Sequence, residues 1–511
     1  MKREDISKIV DGIGDELIEE VSAQREREFF EAREIKRRAA RRVMKIALPI
    51  AACIAVAVAV PGIIRAVSGN GNSTLSAKFG KVPQIYASHY DSTVKLNSVK
   101  TLAAAKYPIC PESPDYSEPR IDSELQENIY YKYNSNRRSS AKDIDKYSDF
   151  YNELISSALT ECNDENRVIS PVNIYIAASM LAEISDGETQ EQILSALDTN
   201  SIEELRENAE TLWNSNYIYD KTREQILSSS LWLNDDVEFK EPAIKALAEH
   251  YYADSFSGDF GDPDLTADMQ SWLFKRTGGL LEEQIVDVGL DESSVIEILT
   301  AIYFSAKWRD EFYNEFNERL IFHSPTGDVE AEFMCQSDDD KDYYRGESYG
   351  AIYKNFEGGG RMWLILPDEG STVDEVIFQG NLIDSLLDGN KDNAERVMLN
   401  LKLPKFDVSS DIDLSESFKA IGIENAFNMG SADFSALTDQ TPVYISKINH
   451  AARAVIDEEG CKAAAFTVIE APGAAEPIER RIVDFVLDRP FIFIIESDVG
   501  QPLFIGVVNN V

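Results

Sequence analysis

VIDEEGCKAAAFTVIEAPGAAEPIERR, from Val455 to Arg481, lies between two apolar runs, PVYISKINHAARAVID at 442–457 and IVDFVLDRPFIFIIE at 482–496. The flanking runs read as strands, being rich in Val, Ile and Phe. Between them, Glu458-Glu459-Gly460 precedes the small residues Cys461, Ala463, Ala464 and Ala465. The β-formers Thr467, Val468 and Ile469 follow, and EAPGAAEP after them is loop-like. Read with period 2, Cys461, Ala463, Ala465, Thr467 and Ile469 share one face and Lys462 falls on the other. Such a segment has the make-up of a strand that can slide into a sheet, and equally of a linker; composition alone leaves both open.

Upstream, the pattern becomes regular from about Asp143. DIDKYSDFYNELISSAL (143–159) carries apolar residues three and four apart, as a helix requires. Ser170-Pro171 opens a second helix, VNIYIAASMLAEI, and TQEQILSAL follows the Asp186-Gly187 turn as a third. Strand candidates come later: Glu297 to Trp308, Arg361 to Pro367, Val397 to Phe406 and two at the C-terminus. Helices mostly first and strands mostly later indicate an α+β class. Residues 143–511 show no internal linker and read as one large domain.

Net charge is −40, from 50 basic and 90 acidic residues, which excludes a nucleic-acid partner that needs a basic footprint. Hydrophobic content of 43% with 27% charged residues excludes wholesale disorder. The four histidines are scattered and the five cysteines lack C-x-x-C spacing, so neither a zinc site nor a disulfide scaffold is expected, and no metal or other cofactor.

IALPIAACIAVAVAVPGII, from Ile46 to Ile64, is a 19-residue stretch without a charge. As a helix it spans about 28 Å, close to the ~30 Å of a hydrocarbon core. Lys36, Arg37, Arg38, Arg41, Arg42 and Lys45 precede it and only Arg65 follows closely. The positive-inside rule then expects a single-pass cell-membrane protein: residues 1–45 cytoplasmic, 46–64 transmembrane, 65–142 an extracellular linker or extension, and 143–511 extracellular. A cleaved signal peptide is the rival reading, disfavoured by the 45 residues ahead of the apolar run. Ile6 to Val21 reads as a short amphipathic helix, Ser68 to Thr74 as a flexible linker, and YASHYDSTVKL (86–96) as a strand.

Three motifs that resemble chemistry are discounted. Gly346-Glu347-Ser348-Tyr349-Gly350 matches the G-x-S-x-G elbow of hydrolases, but DDDKDYYR before it is no buried apolar strand and AIYKNF after it is no helix. A hydrolase using Ser348 is therefore a rival without context. Gly358-Gly359-Gly360 lacks a helix start for cradling phosphate, and Asp338-Asp339-Asp340 reads as a solvated acidic loop.

The C-terminus closely resembles the serpin family. Phe485 to Ile495 is similar to that family's C-terminal signature, and GQPLFIGVVNN (500–510) to the strand that closes its fold. The resemblance runs from about Asp143 to Val511 through Ser170-Pro171, Gly187 with Thr189, Trp272 with Thr277, and Ala301-x-x-Phe304-x-x-x-Trp308. It continues through Leu366-Pro367, Pro404-Lys405-Phe406, Ala432-Asp433-Phe434-Ser435 and His450.

This resemblance implies a fold of three β-sheets, about nine helices and an exposed reactive loop, here preceded by a single transmembrane helix. The loop is bait for a protease. Once cut, its N-terminal part inserts into the central sheet and carries the covalently trapped protease along. No catalytic residue is implied, so no enzyme is expected, only a native fold kinetically trapped above its inserted form. The implied hinge comprises Glu458, Glu459, Gly460, Cys461, Ala463, Ala464, Ala465, Phe466 and Thr467. Counting seventeen residues from Glu458 places the reactive bond at Ala474-Ala475. Small side chains there suit an elastase-like or subtilisin-like serine protease, with cysteine proteases as a further class. Ser170, Asn173, Thr300 and His450 correspond to a hydrogen-bonded cluster on the insertion path, and Trp308 to an aromatic where the loop enters. Asn173 for Ser and Thr300 for Asn suggest a swap that keeps one amide in the cluster. Cys461, Lys462, Phe466 and Ala306 are further departures; the bulk of Phe466 would slow insertion. The expectation is a monomeric, membrane-tethered extracellular inhibitor, with a non-inhibitory binding or structural serpin as the alternative.

Overall fold

The structure, a computed structural model, describes residues 96–105, 107–108, 110–111, 123–140, 145–162, 164–219, 223–277, 289–290, 294–387, 394–461 and 480–511. The apolar stretch Ile46–Ile64, the helix expected at Ile6–Val21, the linker at 68–74 and nearly all of the strand expected at 86–96 lie outside them. Among the described residues no helix is long and apolar enough to cross a membrane.

In chain order the first strands are β1 (Lys100–Ala103), β2 (Arg167–Ile169), β3 (Ile218–Tyr219), β4 (Arg223–Asn234), β5 (Ala253–Gly258) and β6 (Ile296–Lys307). Next come β7 (Glu318–Ser324), β8 (Gly327–Arg345), β9 (Tyr349–Asn355), β10 (Arg361–Pro367), β11 (Ala394–Pro404) and β12 (Phe406–Asp413). The last are β13 (Ile448–Ile456), β14 (Gly460–Cys461), β15 (Ile482–Val486), β16 (Phe491–Glu496) and β17 (Pro502–Val508). The main helices are α1 (Ser123–Ser140), α2 (Asp145–Ala158), α3 (Pro171–Ile184), α4 (Gly187–Ala196), α5 (Ile202–Asn216), α6 (Glu241–His250) and α7 (Pro263–Arg276).

The described strands form two sheets rather than three. The central sheet runs β1-β5-β4-β6-β14-β13-β12, with β3 on β4; the second runs β15-β11-β8-β9-β10-β16-β17-β2, with β7 on β8. The count falls to two because β8 is 19 residues long and pairs with β7, β11 and β9 in turn, fusing what would otherwise be separate sheets. Short turns of helix bring the described α-helices to ten, against about nine expected.

Local chemistry explains the central elements. Every residue of β16 and β17 is buried, which is why FIFII and LFIGVV read as unbroken apolar runs. All fourteen residues of α3 are buried as well. Its start is fixed by Ser170, whose hydroxyl accepts the Asn173 N–H, and by Pro171 in the first turn. Asp338-Asp339-Asp340 is not a loop but part of β8. Arg396 on β11 pairs with Asp340 and Asp342, and Arg480 also pairs with Asp340, so the acidic run is held extended by cross-strand cations.

The described residues ahead of 143 pack onto this body. β1 adds an edge strand to β5, and the Asn97 and Ser98 N–H groups donate to the Asp268 carboxylate. Tyr107 stacks on Tyr217, and the Tyr133 hydroxyl of α1 lies 3.2 Å from the Cys110 sulfur. Arg137 of α1 donates to the buried Asp498, which also takes Arg138 at 2.9 Å and Arg223 of β4 at 3.0 Å. Burial alone would raise the Asp498 pKa; Arg223 and Arg137 instead hold it at about 2.

Candidate functional site

The site lies where the chain leaves β13 and turns back toward β6. β14 stands between those two strands: Gly460 pairs with Lys307, and Cys461 pairs with Ala306 on one side and Ile456 on the other. Gly460 has φ +152°, and a Cβ there would overlap the Ala306 carbonyl oxygen. Only glycine fits a chain that enters a sheet this tightly. Ala306 itself sits in regular strand, paired with Cys461 and with Arg223 of β4. Cys461 is buried and packs as a small apolar residue.

Below the turn, residues 308–312 hold it through three backbone carbonyls. The Trp308 indole donates to the Asp457 carbonyl at 3.0 Å, the Trp308 N–H to Glu459 at 2.9 Å, and the Phe312 N–H to Glu458 at 3.1 Å. Trp308 stacks on Phe356 with centroids 4.7 Å apart. The Glu458 carboxylate takes Lys405 at 2.6 Å and the Asn317 amide at 2.6 Å. Partial burial opposes ionisation of Glu458, yet Lys405 and Asn317 pull its pKa below the ordinary value. Lys354 is buried against Trp308 and Phe312 and donates to the Asp310 carbonyl; burial pushes its pKa down to about 7.

Further along the seam between β6 and β13 the two strands pair directly, His450 opposite Thr300. The Ser170 N–H donates to His450 Nε2 at 3.0 Å. That bond assigns the proton to Nδ1, which faces Thr300 Oγ1 at 3.2 Å. Burial drives the His450 pKa down to about 3, so the ring is neutral. Ser170, Thr300 and His450 thus lie in one hydrogen-bonded group. Asn173 is adjacent through its backbone, but its buried side-chain Nδ2 and Oδ1 have no hydrogen-bond partner among the described residues. The expected amide exchange is therefore not made: the shorter Thr300 reaches the imidazole by itself.

Ala463, Ala464, Ala465, Phe466, Thr467 and the reactive bond Ala474-Ala475 lie outside the described residues. Ser348 sits in the turn between β8 and β9, closed by a bond from the Gly346 N–H to the Tyr349 carbonyl, and its hydroxyl accepts from Gln379 at 2.6 Å. That is a hairpin turn, not a nucleophile elbow. Sequence reasoning missed Lys405, Asn317 and Lys354; Pro404-Lys405-Phe406 was the available signal for the first, and nothing local marked the others.

The serpin (serine protease inhibitor) family model matches residues 145–511. Alpha-1-antitrypsin 1-2 of Mus musculus is 29% identical over 371 residues, spanning 70% of this chain and 87% of that protein. Alpha-1-antiproteinase of Rattus norvegicus is 27% identical over 411 residues, spanning 77% and 93%. Among solved structures, the thermophilic serpin tengpin in its native state superposes with a TM-score of 0.65 at 27% identity, covering 81% of this chain and all of that one. Thyroxine-binding globulin, solved with thyroxine, matches in fold with a TM-score of 0.60 at 22% identity, covering 71% of this chain and 98% of that one. The hinge between β6 and β13, the buried Ser170–His450–Thr300 cluster and a family match over residues 145–511 place the chain in the serpin family.

Proposed function

We propose that this chain is an inhibitory serpin that traps a serine protease through insertion of the segment after Cys461. The observation that carries the reading is the seating of Gly460-Cys461: both residues already pair with β6, and Cys461 also with β13. Continuing the strand from there needs only that the seam below it part. Side chains on the face it would bury, Ala463, Ala465 and Thr467, are small enough to pass. The scissile bond is Ala474-Ala475, and its small side chains select an elastase-like or subtilisin-like enzyme. The apolar stretch Ile46–Ile64 with its basic flank tethers the inhibitor to the membrane and leaves the serpin domain outside the cell.

Mixing the full-length chain with an elastase and with a subtilisin, followed by denaturing gels and mass spectrometry, tests the reading. A covalent complex and a released fragment beginning at Ala475 are expected. The second reading, a non-inhibitory serpin, is favoured by Phe466, whose bulk opposes insertion. It predicts clean cleavage, no complex and no gain in heat resistance.

A further inference from the structure

The seam between β6 and β13 is crossed by side chains on both faces. Ile448↔Ile298, Asn449↔Leu299, His450↔Thr300 and Ala451↔Ala301 are its direct pairs. On the α3 face, Thr300 meets His450. Alternation puts Glu297 on the same face as Leu299 and Ala301, which pack with Ala451, Met269 and Trp272 under α7. On that face the Asn449 amide donates to the Glu297 carboxylate. Glu297 is 2% exposed and Asn449 1%. At the foot of the seam, the Ser294 and Ser446 hydroxyls lie 2.5 Å apart.

We propose that Glu297 and Asn449 are positioning residues for loop insertion, a buried lock on the lower seam that sets how fast and how far a cleaved loop enters the sheet. The inference rests on the insertion reading above. An inserted strand would move β13 from β6 by a further strand spacing, about 4.8 Å, beyond hydrogen-bond reach for this pair. Insertion starts at Ala306 and Ile456, so it meets Thr300–His450 first, Glu297–Asn449 next and Ser294–Ser446 last. The middle bridge is the costly one. It is a hydrogen bond to a buried carboxylate, and parting it takes the Asn449 amide from that carboxylate with no water to replace it. Neither residue belongs to the cluster that the family resemblance implies.

The test uses the full-length chain with Glu297→Ala, Asn449→Val and both together, each as native protein and after loop cleavage. Asn449→Val alone is expected to lower the native thermal midpoint, and the double variant to restore it, because coupling exists only while the seam is closed. In the cleaved form the two substitutions should add. The double variant should acquire heat resistance after cleavage about tenfold faster than wild type. If Asn449→Val does not fold, Glu297→Gln keeps the shape, removes the charge and should still speed insertion several-fold. Equal coupling in native and cleaved forms, or an unchanged insertion rate in the double variant and in Glu297→Gln, overturns the lock. Wild type that gains no heat resistance on cleavage overturns insertion itself and this role with it; wild type that gains it while the variants behave alike removes the lock alone.

Discussion

Gly460 is the residue on which the hinge geometry depends. An alanine there would bring its methyl into the Ala306 carbonyl and the Lys307 Cα, both backbone atoms of β6 that cannot swing aside. Gly460→Ala should therefore expel β14 from the seam and cost on the order of 1–3 kcal/mol of native stability. A lowered denaturation midpoint for the intact protein, with the cleaved form affected less, is the expected result of paired thermal scans. His450 gives a second residue-scale prediction. Its pKa is depressed to about 3 in the folded state, against an ordinary 6.5, by burial. The unfolded chain therefore binds more protons between these values, so stability rises with pH across that window. This contribution is fully present above about pH 6.5 and falls away toward pH 3. His450→Gln can still accept from Ser170 and face Thr300, yet does not titrate; a pH series of unfolding midpoints should show a flatter acid limb for it than for wild type. Ser170 and His450 were legible through the serpin resemblance, and Gly460 also because a side chain there would meet the β6 backbone. Asn173 was not, because whether a buried amide finds a partner depends on three-dimensional neighbours no spacing encodes.

At the scale of elements, the legible parts were those with a single burial pattern. β16 and β17 are covered on both faces and α3 all round, so their apolar runs announced them. β8 was hidden: its acidic stretch is half exposed, and it is held extended by its ladder to β11 together with the cations Arg396 and Arg480. The attachment of α1 was hidden too, since its ion cluster joins residues from three segments far apart in the chain. That cluster has an asymmetry that can be measured. The Asp498 carboxylate is shared by Arg137, Arg138 and Arg223, and the side chains of Arg137 and Arg223 are only 2% exposed. Arg137→Met leaves Asp498 with two of these partners and should cost about 2 kcal/mol, below the ~3–5 kcal/mol of a fully orphaned buried charge. Asp498→Asn leaves two buried guanidiniums facing each other and should cost more. Denaturant unfolding of the two variants checks the order, and the reverse order would mean that Arg137 holds α1 through its bond to the Ser215 carbonyl rather than through Asp498.

At the scale of the whole molecule, the charge distribution bears on which protease the proposed inhibitor would trap. The first 45 residues hold 12 basic and 11 acidic side chains and 46–64 none, so the remainder, which on the proposed reading would meet the target, carries −41 against the −40 of the whole chain. Glu330, Glu332, Asp339 and Asp340 stand exposed along β8, and Arg480 pairs with Asp340. A cationic protease approaching the loop would be drawn by this field, and an anionic one with the same pocket repelled. Two enzymes that cleave after small residues but differ in the sign of their net charge separate field from pocket. At low salt the cationic enzyme should associate on the order of tenfold or more faster. Raising ionic strength shrinks the Debye length from about 10 Å at 0.1 M toward about 3 Å at 1 M and should erase most of the difference. The second-order rate constant of complex formation at several salt concentrations is the measurement. A flat salt dependence for both enzymes would mean that the loop sequence alone selects the target, and that the acidic surface serves solubility rather than capture.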